Sequence, residues 1–192
     1  SKRCFIAETM GRRCGYLTLM SALSTGAEYM YMNEDAPSLE QIAVDAARMV
    51  TSFKSGRRLF LTLVNESTSQ YYDREFLADV FNAESEGIFD VRHMALGHLQ
   101  QGGSPSPYDR LLATRLVDRA FAQLVDQFER GDRGAYYIGQ VGNNTEARPV
   151  KNMFDDLDIV NRRPFLQWWR DMVPVQRIVS LQNPGIEATP IH

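Results

Sequence analysis

Apolar residues along this chain keep switching period. Short, largely apolar runs, Cys4–Ala7, Tyr29–Met32 and Arg58–Val64, predict β-strands, and Val91–Leu96 reads as another. Between them the apolar positions recur every three or four residues, which predicts helices. Gly11 to Gly15 open one that carries Tyr16, Leu17, Met20 and Leu23 and stops near Gly26. Pro37 and Ser38 start a second with Leu39, Ile42, Val44, Ala46 and Val50, and Tyr72–Phe81 reads as a third. The longest runs from Tyr108 to Phe128, with Leu112, Leu116, Ala120, Leu124 and Phe128 on one stripe, and Gly131–Gly134 end it.

Further on, Tyr136–Gly139 reads as one more strand, and the turn signal Gly142-Asn143-Asn144 leads into Glu146–Met153. A last helix is expected over Arg163–Ser180, with Pro164 in its first turn and Pro174 interrupting it. Alternating strands and helices predict an α/β fold with a mainly parallel sheet flanked by helices. The expected division is an α/β lobe over residues 1–134 and a C-terminal strand and helix segment over 135–192.

In such sheets ligands gather at the carboxyl ends of the strands, so polar residues just after strands single themselves out. There are three such loops: Thr9-Met10-Gly11-Arg12-Arg13, Asn65-Glu66-Ser67 and His98–Gly103. The third is the richest, since Leu96-Gly97-His98-Leu99-Gln100-Gln101-Gly102-Gly103-Ser104-Pro105-Ser106-Pro107 places donors and a glycine pair before a long helix. Gly102 and Gly103 suit positive φ or close approach to a ligand, and the helix start favours an anion such as a phosphate ester. A tight strand-to-helix turn would use the same residues.

Each side chain has two readings. Arg12 is an anion ligand sharing its guest with nearby amides, or a solvated surface arginine. Glu66 accepts from sugar hydroxyls or pairs with an arginine. Arg3 and Arg92 are phosphate partners or structural residues, and His98 is a phosphate donor or a histidine satisfied within its turn. Trp168-Trp169, flanked by Phe165, Leu166 and Val173, reads as core packing rather than a stacking platform, and His192 as a disordered terminus.

Composition narrows the classes. The 192 residues, 44% of them hydrophobic, are enough for a sizeable core, and 24 acidic against 21 basic residues argue against nucleic acid as a partner. Cys4 and Cys14 lack metal-ligand spacing and read as buried thiols in a reducing compartment, and no apolar run approaches membrane-spanning length; a cytoplasmic location with no membrane partner is the expectation. Phosphate-binding Gly-x-x-x-x-Gly-Lys-Ser/Thr loops, dinucleotide fingerprints, metal-ligand clusters and nucleophile turns do not occur in the sequence.

Met10-Gly11-Arg12 with Cys14-Gly15-Tyr16-Leu17, followed by Leu96-Gly97-His98-Leu99-Gln100-Gln101-Gly102-Gly103-Ser104-Pro105 and Asp109-Arg110, closely resembles the ATP-dependent 6-phosphofructokinases. The segments around Asn65-Glu66 and Arg162–Val179 are similar to the same family, so the resemblance spans nearly the whole chain. It implies a three-layer sandwich that is part of a larger subunit, with 1–134 as a sugar-phosphate-binding lobe and 135–192 packing back on an ATP lobe lying elsewhere. Neither the glycine-rich ATP site nor the Thr-x-Asp-x-Asp segment of that family occurs here. MgATP is therefore implied for a complete enzyme only, and the chain alone is expected to be inactive.

By the same resemblance Met10, Gly11, Arg12, Glu66, His98, Leu99, Gln100 and Gln101 line a sugar-phosphate site, while Arg3 and Arg92 reach a 6-phosphate across a subunit interface, which implies an oligomer. Gln101 and the tryptophan-bearing tail are similar to the C-terminal, regulatory half of the eukaryotic subunit, where the guest would be the activator fructose 2,6-bisphosphate. Gln101 stands where catalytic halves carry arginine, and the uncharged Gln140-Val141-Gly142-Asn143 replaces a basic cluster. A catalytic fructose 6-phosphate site completed by an ATP lobe outside this sequence, and an assembly module that binds nothing, remain the alternatives.

Overall fold

The computed structural model describes residues 2–181, so His192 lies outside the described residues. The chain falls into two compact units, one running from its start to Gln101 with Asn161–Arg163 and the chain from Gln167, the other Gly102–Val160 with Pro164–Leu166. The division follows Gln101, where the sequence suggested one after Gly134.

The first unit is built on β1 (Arg3–Thr9), β2 (Tyr29–Tyr31), β3 (Leu59–Asn65) and β4 (Asp90–Ala95). All pairings are parallel, in the order β2-β3-β1-β4. Helices α1 (Tyr16–Thr25), α2 (Leu39–Lys54) and α3 (Arg74–Ala83) connect them. Local signals set the helix ends. Ser38 accepts from Gln41 N–H at 3.1 Å and Asp73 from Phe76 N–H at 2.8 Å, each satisfying an amide that the first turn leaves orphaned. Gly26 ends α1 with φ 67°, the left-handed conformation that glycine takes at least cost.

Both faces of the sheet are covered, as the fold class requires. On one, Cys4, Ile6, Phe60 and Val64 pack on Ile42, Met49 and Phe53 of α2 and Leu77 and Phe81 of α3, forming the main core. On the other, Ala22 of α1 and Ala27 meet Leu63 of β3. Chain order places α1 on one face and α3 on the other, so β1 and β3, neighbours in the sheet, send their following loops in opposite directions. That divergence opens a crevice beyond their carboxyl ends.

The second unit contains α4 (Pro107–Arg130), an antiparallel hairpin of β5 (Tyr136–Val141) and β6 (Asn144–Pro149), and the short helix α5 (Met153–Asp156). Helix α4 belongs with the hairpin, because the Tyr108 hydroxyl bonds Gln140 at 3.3 Å, Arg115 donates to the Asn143 carbonyl and Gln127 to that of Gly134. Of its predicted apolar stripe, Leu112, Leu116 and Ala120 are half-buried, while Leu124 and Phe128 are exposed.

The C-terminal expectation needs correction. Arg163–Ser180 is not one helix: Arg163–Pro164 is extended, Trp168–Met172 is a 3₁₀ turn and α6 spans Val173–Leu181. Pro174 falls in the first turn of α6, where no intrahelical bond needs its missing N–H, so it helps start the helix instead of interrupting one. Core packing holds for Trp169, 2% exposed against Leu19, Met32 and Val173, but not for Trp168, Phe165 and Leu166, all exposed. Neighbours on a 3₁₀ turn point about 120° apart, so both tryptophans cannot face inward. Trp168 instead meets Tyr16 edge to face.

Candidate sugar-phosphate site

The loops after β3, β1 and β4 leave three adjacent strands and meet at one rim. Glu66 N–H donates to Thr9 C=O at 3.0 Å and Leu96 N–H to Glu8 C=O at 2.9 Å, extending the ladders just past the strands and fixing where each loop departs. A recess of about 370 Å³ opens there, lined by Met10, Gly11, Arg12, Leu17, Glu66, Gln100 and Gln101.

Its wall is held by two side chains reaching between loops. Glu66 Oε1 accepts from the N–H groups of Gly11 (3.3 Å) and Arg12 (2.5 Å), and Gln100 Oε1 accepts from Met10 N–H at 2.8 Å. The β1–α1 loop can present these amides because Gly11 has φ 141° and Arg12 φ 50°. Cys14 N–H closes the turn onto Gly11 C=O at 2.9 Å. The arginine guanidinium meets no acid at ion-pair distance among the described residues, and it is the one cation on the wall.

This arrangement corrects the idea that Arg12 shares an anion with nearby amides. The Gly11 and Arg12 amides are taken by Glu66, and that of Gly15 by the carboxylate of Glu34, at 3.0 and 3.1 Å. An anion entering here has the guanidinium and the side-chain amides to bind, not a backbone nest. Nor does Glu66 pair with an arginine among the described residues.

The start of α4 is likewise closed to a phosphate. Asp109 N–H donates to Ser106 Oγ, and the Asp109 carboxylate accepts from Ser106 N–H at 2.8 Å, so the positive end of the helix already holds its own anion. Hydrogen bonding from the Ser106 side chain, and then from its backbone N–H, holds the Asp109 carboxyl below the usual carboxylate range. Gly102 and Gly103 do not take positive φ; in this region Gly97 does.

Six of the ten residues singled out by sequence thus share the recess: Met10, Gly11, Arg12, Glu66, Gln100 and Gln101. His98 and Leu99 lie in the same 3₁₀ turn, Gly97–Gln101, both exposed, but do not line the recess. Arg3 and Arg92 are elsewhere on the sheet. Arg3 begins β1, about 20 Å along the strand from Thr9 at the usual rise per residue, and Arg92 lies opposite Phe5. Both are exposed, and neither reaches this recess from within the chain.

Sequence reasoning missed Leu17. It was read as part of an apolar stripe, yet it stands 40% exposed on the rim. Its place in the first turn of a helix that starts beside the crevice was the available signal. Beneath the loop, Asn65 is 1% exposed, with neither side-chain polar atom hydrogen-bonded. Cys4 is buried and Cys14 only half-buried, both as free thiols, which corrects the expectation that both are interior.

The phosphofructokinase profile matches residues 1–124, nearly two-thirds of the chain. The chain belongs to the phosphofructokinase family. It is 36% identical to the ATP-dependent 6-phosphofructokinase of Dictyostelium discoideum, covering 94% of this chain and 22% of that protein. With the liver-type human enzyme it shares 35% identity over 88% of this chain and 23% of that protein. The solved phosphofructokinase of Saccharomyces cerevisiae superposes with a TM-score of 0.85 at 29% identity, covering 93% of this chain and 25% of that one. For the T-state structure from Pichia pastoris the TM-score is 0.80 at 26% identity, with 94% and 22% covered. The chain thus spans about a quarter of the length of these phosphofructokinases, and it shares their mainly parallel sheet flanked by helices.

Proposed function

We propose that this chain forms a sugar-phosphate-binding part of the regulatory half of a eukaryotic-type 6-phosphofructokinase, and that the recess beside Arg12 takes the activator fructose 2,6-bisphosphate. The observation that carries the reading is the division of labour on the wall. Glu66 spends Oε1 on two amides, which leaves Oε2 to accept from a hydroxyl, while the Arg12 guanidinium remains for a phosphate. Gln100 and Gln101 supply neutral amide groups beside them. Such a wall grips an esterified hexose, and Glu66, the acid on it, is committed to holding the loop.

Arg3 and Arg92, both exposed and away from the recess, are proposed to serve the same site of a neighbouring subunit in an oligomer, and the C-terminal segment to pack on a separate ATP lobe. The whole protein would transfer the γ-phosphoryl group of ATP, with magnesium, to the 1-hydroxyl of fructose 6-phosphate, in the cytoplasm. Among the described residues no three His, Cys, Asp or Glu side chains converge, and the metal is proposed to be held, with ATP, by the separate lobe. No catalytic step is assigned to this chain's residues. Binding of the activator would favour the active conformation by its difference in affinity between the two states.

Calorimetric titration of the intact protein with fructose 2,6-bisphosphate tests the reading. Loss of a charge-assisted contact in Arg12→Ala should weaken binding by about tenfold or more, with comparable losses for Arg92→Ala, proposed to act from the neighbouring subunit, and for His98→Ala, proposed to reach a bound phosphate from the exposed turn beside the recess. Absence of binding, or indifference to all three changes, refutes it and favours an assembly role, as the uncharged Gln140–Asn143 stretch would allow. A large rise in turnover on changing Gln101→Arg would instead mark the recess as catalytic.

A further inference from the structure

A larger cavity, of about 590 Å³, lies along the outer side of β2 between α2 and α6, within the first unit. The proposed function makes no use of it. Its volume is in the range of pockets that enclose a metabolite rather than a water or a bare ion.

The charges on its wall are answered unequally. Asp35 pairs with Arg170 at 2.7 Å. Asp45, buried, accepts from the Tyr31 hydroxyl at 2.9 Å and from Gln41 Nε2 at 2.9 Å. Glu28 holds Arg57 and also accepts from Leu61 N–H at 2.7 Å. Every acid on the wall is therefore engaged. The two cations on the wall are answered less: Arg48 on α2, which feels the charge of Asp45, and Arg177 on α6 are exposed, and neither has an ion-pair partner among the described residues.

Between the helices the lining turns apolar at Met30 and Val173. Two guanidiniums supply ten N–H donors and no acceptor, and their planar forks match phosphoryl and carboxylate oxygens. Two cations from two helices on one cavity wall suit a guest with more than one negative charge.

We propose that this cavity is a second anion site, one that takes a small polyanion of metabolite size held between Arg48 and Arg177. It shares no lining residue with the sugar-phosphate recess and does not depend on the reading of that recess.

The test is calorimetric titration of the intact protein with pyrophosphate, run on wild type and on Arg12→Gln so that binding at the sugar recess is told apart. A site that survives Arg12→Gln is expected. It should weaken about tenfold or more in Arg48→Gln and in Arg177→Gln, and disappear in the double variant, while Arg133→Gln leaves it unchanged. Near-ultraviolet circular dichroism confirms that these surface changes leave the fold intact. Titration with tricarballylate distinguishes a general polyanion site, where it binds with the same dependence, from a phosphoryl-specific one, where it does not; either supports the proposal. Binding that vanishes in Arg12→Gln, binding indifferent to both Arg48 and Arg177, or no saturable binding of either probe overturns it.

Discussion

Changing Gly11→Ala should disable the sugar-phosphate recess without unfolding the sheet beneath it. Gly11 has φ 141°, and a Cβ built there would lie 2.4 Å from the Cys14 carbonyl oxygen and 3.2 Å from Asn65 Nδ2. The nearer obstacle is backbone, so relief requires the 10–14 turn to move. The conformation alone costs a side chain about 1–3 kcal/mol. Moving the turn also breaks the Gly11 and Arg12 N–H bonds to Glu66. Because the loop is exposed, water re-satisfies both amides, and that loss falls below the charge-assisted range to the ordinary net value, about 1 kcal/mol each. A binding penalty of about 2 kcal/mol follows, close to a 30-fold weaker dissociation constant. Gly26→Ala is the control, since Gly26 has φ 67°, open space around it and a position at the far end of α1. It should cost about 1 kcal/mol in stability and leave binding alone. Titration with fructose 2,6-bisphosphate reads the affinity, and amide exchange of the 10–17 segment reads loop order whatever the ligand. Unchanged affinity in Gly11→Ala, with the Gly11 and Arg12 amides as protected as in wild type, would refute the reasoning.

Other outcomes follow from packing and titration. Asp73→Ala removes the cap on Phe76 N–H and should cost about 1 kcal/mol, read as a lowered midpoint of thermal unfolding. Phe81→Ala empties a fully buried site in the main core and should cost about 3–5 kcal/mol by the same measurement. Burial pushes the Cys4 thiol up to about 12 from 9.0. Its contribution to stability is whole below about pH 9 and is lost as pH rises from there toward 12, because the unfolded thiol ionises first; the alkaline slope of the unfolding midpoint should flatten in Cys4→Ala. Iodoacetamide at pH 8 should label half-buried Cys14 before Cys4, which waits for unfolding.

Much of this fold was legible because its signals are local. Short apolar runs marked β1 and β3, and Ser38, Gly26 and the Pro107 start placed helix ends to within a residue or two. The rim was legible by rule, since polar residues after parallel strands have one edge to occupy. Pairing was not. That Glu66 would spend its carboxylate on the amides of Gly11 and Arg12 depends on β3 lying next to β1, a long-range fact that no local pattern encodes. The same holds for Glu34 reaching Gly15 and for Leu17, whose exposure reflects a crevice rather than its own hydropathy. The C-terminal helix was misjudged because one proline was read as a breaker when its distance from the true helix start made it a starter. Trp168 was misjudged because a pair of large aromatics was given one environment.

The position of β1 carries a further consequence, for the order of events during synthesis. Of the four strands of this sheet it is made before the others and lies inside, flanked by β3 and by β4, whose residues follow some ninety positions later. The recess needs loops from all three, so no grip on a guest exists until that last neighbour has zipped into place. A ligand supplied during refolding would therefore leave the early collapse rates untouched and retard only the final opening, acting as a latch on a finished sheet rather than as a template for it.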